Sequence, residues 1–197
     1  MQRPAESEQL EFPDRIAWEA WLEENHARAD QAWLRIAKRG SGATTVAIGE
    51  ALDSALCFGW IDAIRFGLDD RYYLQRYTPR RARSAWSAVN VEKVAALEAA
   101  GRLRPAGRAQ VELARADGRW AAAYPAQADW ALPPEFAAAL DAEPALRAAF
   151  DALGRTDRYQ LVIPHLRART EVGRRGAIER AIARLSAPGD PAADPGQ

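Results

Sequence analysis

The residues best able to do chemistry are concentrated in one stretch of the chain, between positions 57 and 90. From Arg71 to Val91 the chain has five arginines and no acidic residue, although its overall formal net charge is zero. Guanidinium groups, hydroxyls and the free N–H groups at a helix start bind phosphate or carboxylate, and a neighbouring indole can stack on a planar group. The stretch therefore predicts a site for a small anionic ligand or peptide. Its candidate residues are Trp60, Asp62, Arg80, Arg81, Ser84, Trp86, Ser87 and Asn90.

Each of these residue types also has a purely structural explanation. The serines and Asn90 can cap helices, and the two tryptophans can belong to the core or to a lid. The arginines can pair with acidic residues near the N-terminus, where residues 1–30 hold eight acids and three bases. The acidic side chains considered for this pairing are Glu19, Glu23 and Glu24.

A catalytic alternative uses the same stretch. Cys57 or Asp62 would act in a pocket while Arg80 holds an anionic substrate. Cys57 is predicted near the C-terminus of a helix, which raises a thiol pKa and disfavours a reactive thiolate. It is more typical of a small buried hydrophobe. The sequence therefore assigns no catalytic residue.

Nucleic-acid contact is a further alternative and ranks below the other two. It would use the basic stretch from Arg71 to Arg83 together with arginines near the C-terminus. The latter are Arg167, Arg169, Arg174 and Arg175. No known nucleic-acid module is visible in the sequence, so a nucleic-acid partner is not expected.

Composition excludes several classes of protein. With 197 residues, of which 48% are hydrophobic, the chain is globular rather than disordered. A single cysteine rules out an internal disulfide, and zero net charge disfavours a carrier that binds nucleic acid through bulk positive charge. The two histidines, His26 and His165, lie far apart in the sequence, and no phosphate-binding glycine loop is present. We expect neither a metal nor a cofactor.

The sequence shows no targeting or membrane signal. The first residues lack an apolar segment typical of a secretory signal, and no run of 18 apolar residues predicts a transmembrane helix. The lone cysteine is typical of a reducing compartment, so we expect a cytoplasmic protein without a membrane span. The sequence sets no oligomeric state.

Hydrophobic periodicity predicts an α+β protein, with a small antiparallel sheet and packed helices followed by a small all-α C-terminal domain. The predicted strands are Gln31–Arg39, Trp60–Phe66 and Tyr72–Tyr77. The predicted helices are Asp14–His26, Gly49–Phe58, Asn90–Ala100, Pro105–Asp117, Glu135–Leu140, Pro144–Leu153, Asp157–Arg167 and Glu171–Leu185. The predicted domains are an α+β domain at 10–120, a linker at 121–132, a helical domain at 133–187 and a disordered tail at 188–197.

Several runs of sequence resemble the bacterial YdeI/OmpD-associated (OmdA) family, whose members are often labelled bacteriocin-protection proteins. The runs are EALDSALCFGWID at 50–62, YTPRR at 77–81 and SAWSAVN at 84–90. Near the C-terminus, the helix with Arg174, Arg175 and Ile178 is similar to the helical module of that family. The resemblance covers about residues 10 to 187.

The resemblance implies a fold of the YjbR/CyaY-like α+β group in the N-terminal part. The family labels imply protection against bacteriocins or cationic peptides, or association with an outer-membrane porin. Together with the expected cytoplasmic location, this predicts a stress- or protection-related binding protein. The family supplies no reaction and no catalytic residue that can be carried over to this chain.

Overall fold

The computed structural model describes residues 3–187, and their fold is α+β, which confirms the predicted class. Within these residues the strands are β1 (Gln9–Leu10), β2 (Ala32–Ala37), β3 (Trp60–Gly67) and β4 (Tyr72–Pro79). The helices are α1 (Arg15–Asn25), α2 (Ile48–Cys57), α3 (Ala88–Ala99), α4 (Pro105–Ala116), α5 (Pro134–Asp141), α6 (Pro144–Ala152), α7 (Arg155–Arg167) and α8 (Glu171–Ser186). The tail predicted at 188–197 lies outside the described residues. No helix within residues 3–187 has the length and apolar character needed to cross a membrane.

The four strands form one sheet in the order β1-β2-β4-β3. The pairs β2–β4 and β3–β4 are antiparallel, as predicted, but β1 joins β2 in parallel, so the sheet is mixed. The sequence did not predict β1 because its two residues are too few to show an alternating pattern. Only the pairing of Gln9 with Trp33 and of Leu10 with Leu34 defines this strand.

The β3–β4 hairpin forms where the sequence predicts it and carries the candidate site at its far end. Its loop is closed by Asp69, whose carboxylate accepts hydrogen bonds from the backbone N–H groups of Arg71 and Tyr72. A bulge between Asp62 and Arg65 interrupts the register of β3 against β4. Bulges redirect neighbouring side chains, so this one separates Asp62 from the regular part of the hairpin.

Aromatic side chains from α1 cover one face of the sheet. Trp18 is fully buried, stacks on Trp21 at 5.3 Å between ring centroids, and donates its indole N–H to the carbonyl oxygen of Ala51. Tyr77 of β4 packs against Trp18 at 5.8 Å. The two tryptophans predicted to form the buried stripe of this helix therefore attach α1 to both α2 and the sheet.

The C-terminus of α2 meets the N-terminus of α4. The backbone N–H of Arg104 donates to the Cys57 carbonyl oxygen over 3.1 Å. Gly107 lies so close that a Cβ added to it would be 2.9 Å from the Leu56 carbonyl oxygen. The negative end of one helix dipole thus faces the positive end of another, and a glycine makes this close approach possible.

The chain divides into two compact units. Among the described residues the first unit contains 3–84 and 90–121, and the second contains 85–89 and 122–187. The second unit has its own core, formed by one face of each of the helices α5 to α8. Its buried members are Phe136, Leu140, Leu146, Phe150, Leu161, Val162 and Ala181.

Candidate functional site

The residues predicted to bind a ligand are divided between the two units. The first unit contains Trp60, Asp62, Arg80, Arg81, Ser84 and Asn90. The second contains Trp86 and Ser87.

The end of the β3–β4 hairpin gathers three of the predicted residues. Trp60 pairs with Pro79, and the backbone N–H of Arg80 donates to the Gly59 carbonyl oxygen over 2.9 Å. Asp62 lies two positions further along β3, opposite Tyr77. Arg80 is only 7% exposed, whereas Asp62 is exposed. The hairpin thus places a buried guanidinium and an exposed carboxylate on neighbouring strand ends.

Trp60 belongs to the core of the first unit. Only 1% of its surface is exposed, and its ring contacts Trp21 edge-to-face at 6.0 Å. Its indole N–H donates to the His26 carbonyl oxygen over 3.1 Å. These contacts support the core interpretation of Trp60 that the sequence left open.

The loop after β4 is a fixed turn. The backbone N–H of Ser84 donates to the Arg81 carbonyl oxygen over 2.9 Å. The Ser84 carbonyl oxygen in turn accepts a 3.0 Å hydrogen bond from the guanidinium of Arg119, which is 2% exposed and is held by Asp117 at 2.7 Å. This turn holds Arg81 and Arg83 at the surface, since both are exposed.

Arg119 is a positioning residue that sequence reasoning missed. The residue before it, Gly118, has a φ of +77°, which favours glycine, but a turn at this position does not indicate what the Arg119 side chain contacts. The contact with Ser84 joins residues 35 positions apart, and no local pattern predicts such a contact.

The structure corrects the role of Asn90 as a helix cap. Helix α3 begins at Ala88, so Asn90 lies inside its first turn rather than before it. Helix α3 starts earlier than predicted, directly after an isolated bridge between Ser87 and Tyr124. In this bridge the Ala88 N–H donates to the Tyr124 carbonyl oxygen over 2.8 Å. The same bridge holds Trp86, which is 2% exposed and whose carbonyl oxygen accepts from the Tyr124 N–H.

Cys57 is buried, with 2% of its surface exposed. Burial raises the pKa of its thiol to about 11, and the Arg102 charge only partly opposes this. The direction agrees with the sequence-based expectation, although burial rather than the helix end is the main cause. A thiol that stays protonated near neutral pH gives no support to the version of the enzyme hypothesis that uses Cys57 as nucleophile.

We expect Cys57 to react with iodoacetamide at pH 7.5 about 100-fold more slowly than an ordinary protein thiol, because only the thiolate reacts. Between pH 7.5 and 10 the rate should rise about tenfold per unit, since the pKa lies above this range. Mass spectrometry of the native protein gives the rate, and the guanidinium-unfolded chain is the control. A rate that levels off below pH 9 would contradict the prediction.

Glu19 and Glu23, two of the acidic residues near the N-terminus, contact arginines that lie outside the basic stretch. The carboxylate of Glu19 accepts hydrogen bonds of 2.9 Å from Arg15, Arg102 and the hydroxyl of Ser54. Burial alone would raise the pKa of Glu19, but these hydrogen bonds together hold it below its usual value. Glu23 lies 3.8 Å from Arg104. Pairing of Glu19 with arginines is therefore real, but its partners are on α1 and around the start of α4.

Each of the two histidines contacts an oxygen acceptor within its own unit. A ring nitrogen of His26 lies 2.8 Å from the Leu22 carbonyl oxygen, and His165 of the second unit lies 2.9 Å from a Glu135 carboxylate oxygen. Within residues 3–187, no three His, Cys, Asp or Glu side chains cluster as metal ligands.

Two family models match different parts of the chain. Residues 10–110, just over half of its length, match the model described as Domain of unknown function (DUF8412). Residues 129–187 match the OmdA model, described as Bacteriocin-protection, YdeI or OmpD-Associated, which confirms that resemblance for the C-terminal part. No curated protein and no solved structure matches the chain. The finer resemblance to the YjbR/CyaY-like group stays a prediction.

Proposed function

Because the chain belongs to the family described as Domain of unknown function (DUF8412), which gives no activity, we propose a function from its geometry and its OmdA segment. The protein is a binding protein of the YdeI/OmdA, bacteriocin-protection type. It holds the anionic group of a small ligand or peptide at the loop that follows β4. Binding, rather than catalysis, is the activity of this site.

The observation that carries the proposal is the fixed turn with its three arginines. Arg80 is buried at the strand end, while Arg81 and Arg83 are exposed on a turn that Arg119 holds from within. A fixed backbone turn presents neighbouring guanidiniums to solvent without a cost for ordering the loop on binding, and guanidiniums favour bidentate contact with carboxylate or phosphate.

The other predicted residues take supporting parts in this proposal. Trp60 fixes the start of β3 from within the core, so it positions the neighbouring Arg80. Asp62 is exposed beside the same strand ends and offers an acceptor to any N–H or O–H group of the ligand.

We further propose that the protein works in the cytoplasm in a protective role. The support for the compartment is the single free thiol, which is typical of a reducing environment. The support for the role is the match of residues 129–187 to a bacteriocin-protection family.

Titration calorimetry with inorganic phosphate, citrate and a hexa-glutamate peptide tests the proposed site. We expect the tightest of these probes to bind Arg81→Ala about fivefold more weakly than wild type, because one exposed charged contact contributes about 1 kcal/mol. Arg81 is exposed, so its removal leaves the fold intact.

Arg39→Ala is the matched control, since it removes an exposed arginine of the same unit outside the basic stretch. An equal loss of affinity in both variants, or no binding of any probe, would refute the proposed site. A DNA 12-mer is the remaining probe. If it alone binds, with steep salt dependence, nucleic-acid contact replaces the proposal.

A further inference from the structure

A cavity of the first unit is lined by residues of α1, of the end of α2 and of the segment before α4, and its lining includes no residue of the loop after β4. Its volume is about 420 Å³, within the range typical of sites for small molecules. Its lining residues are Arg15, Glu19, Cys57, Phe58, Gly101, Arg102 and Arg104. We propose that this cavity is a second binding site, which takes a compact organic dianion such as a dicarboxylate or a phosphate monoester.

The charge of the walls sets the charge of the ligand. Among the lining residues, three guanidiniums face one carboxylate, so the walls themselves carry two positive charges in excess, of which Glu23 outside the lining offsets part at Arg104. A dianion neutralises this excess, whereas a monoanion leaves one charge unbalanced.

The guanidiniums are already oriented for a ligand. The Glu19 carboxylate accepts one hydrogen bond from a terminal guanidinium nitrogen of Arg15 and one from a terminal guanidinium nitrogen of Arg102, each 2.9 Å long. An arginine has five N–H donors, so Glu19 uses only part of the donors of each. Within residues 3–187, the other guanidinium N–H groups of these two residues donate to no protein atom. The cavity therefore offers donors that are fixed in place and remain available.

The hydrogen bonds to Glu19 give Arg15 and Arg102 a structural role, but Arg104 takes no part in them. Arg104 reaches only Glu23 at 3.8 Å, and both side chains are more than half exposed. Such a contact contributes little to stability. Arg104 also lies over the ring of Phe58, with its guanidinium carbon 5.7 Å from the ring centroid. Its charge therefore adds to the cavity walls, while its contacts with Phe58 and Glu23 are weak, solvent-exposed ones.

Calorimetry with succinate and glycerol phosphate tests this second site, with succinamide and glycerol as neutral analogues. We expect both dianions to bind and both neutral analogues to fail. Arg104→Ala should weaken dianion binding about tenfold, since it removes a unit charge close to the ligand. Arg104→Glu should abolish binding, because it cancels the positive excess.

Arg108→Ala is the matched control. Arg108 lies on the same helix, is similarly exposed and pairs with Glu98 at 3.3 Å, but it does not line the cavity. Equal loss in Arg104→Ala and Arg108→Ala, or binding of the neutral analogues, would overturn the second site. Dianion binding that is retained in Arg104→Ala but lost in Arg81→Ala would also overturn the second site, because it would assign the dianion to the loop after β4. Loss of dianion binding in Arg104→Ala, with binding retained in Arg108→Ala and Arg81→Ala, supports the second site whether or not the loop after β4 binds anions.

Discussion

Replacing Gly107 by alanine is expected to destabilise the first unit by about 3 kcal/mol, one of the two largest effects that we predict. A Cβ at this position would overlap the Cys57 carbonyl oxygen and lie 2.8 Å from its carbonyl carbon. These atoms belong to the backbone, so no side chain can rotate away and α4 must move away from α2. That movement breaks the hydrogen bond from the Arg104 N–H to Cys57. The free energy of unfolding in urea measures the effect.

Gly49→Ala is the control for this prediction. Gly49 also lies in a helix, but a Cβ there would meet nothing within 4 Å. Alanine should therefore stabilise α2 by about 0.5 kcal/mol through its higher helix propensity. Equal stability of wild type and Gly107→Ala would show that α2 and α4 are not in the close contact described above.

Trp60→Ala is expected to destabilise the protein by about 4 kcal/mol, because it empties a fully enclosed aromatic site. The variant loses the contact with Trp21 and leaves the His26 carbonyl oxygen without its indole donor. Unfolding in urea again gives the free energy, with phosphate binding measured in parallel.

Ile64→Ala is the matched variant on the same strand. Ile64 is 37% exposed, so its truncation should change the free energy of unfolding by less than about 1 kcal/mol. A Trp60→Ala protein that is as stable as wild type but no longer binds anions would make Trp60 a ligand contact instead of a core residue.

Local pattern was enough to predict the helices α1 to α8 and the strands β2, β3 and β4, but not β1. The spacing of Trp18 and Trp21 predicted the buried face of α1, and Asp14 caps that helix by accepting from the Ala17 N–H. The hairpin followed from two β-rich runs around a turn sequence. These signals lie within about ten residues of one another, where backbone geometry fixes which side chains share a face.

The sequence failed where partners lie far apart along the chain. It placed Asn90 at a helix cap, because the bridge that starts α3 at Ala88 depends on Tyr124. It gave Arg119 no function, and it did not bring Arg102 next to Glu19, 83 positions earlier. The OmdA resemblance was drawn largely from motifs before residue 91, whereas the OmdA family model matches residues 129–187.

The sequence by itself determined the α+β class, the helix and strand positions to within a few residues, and a basic stretch in a neutral chain. Only the tertiary structure decided which arginines lie against an acidic side chain and which are exposed at the surface. Glu19 holds Arg15 and Arg102, whereas Arg81 stays exposed on its turn. The physical reason is that charge adds along a sequence without regard to distance, while Coulomb attraction and hydrogen bonding depend on separations of a few ångströms.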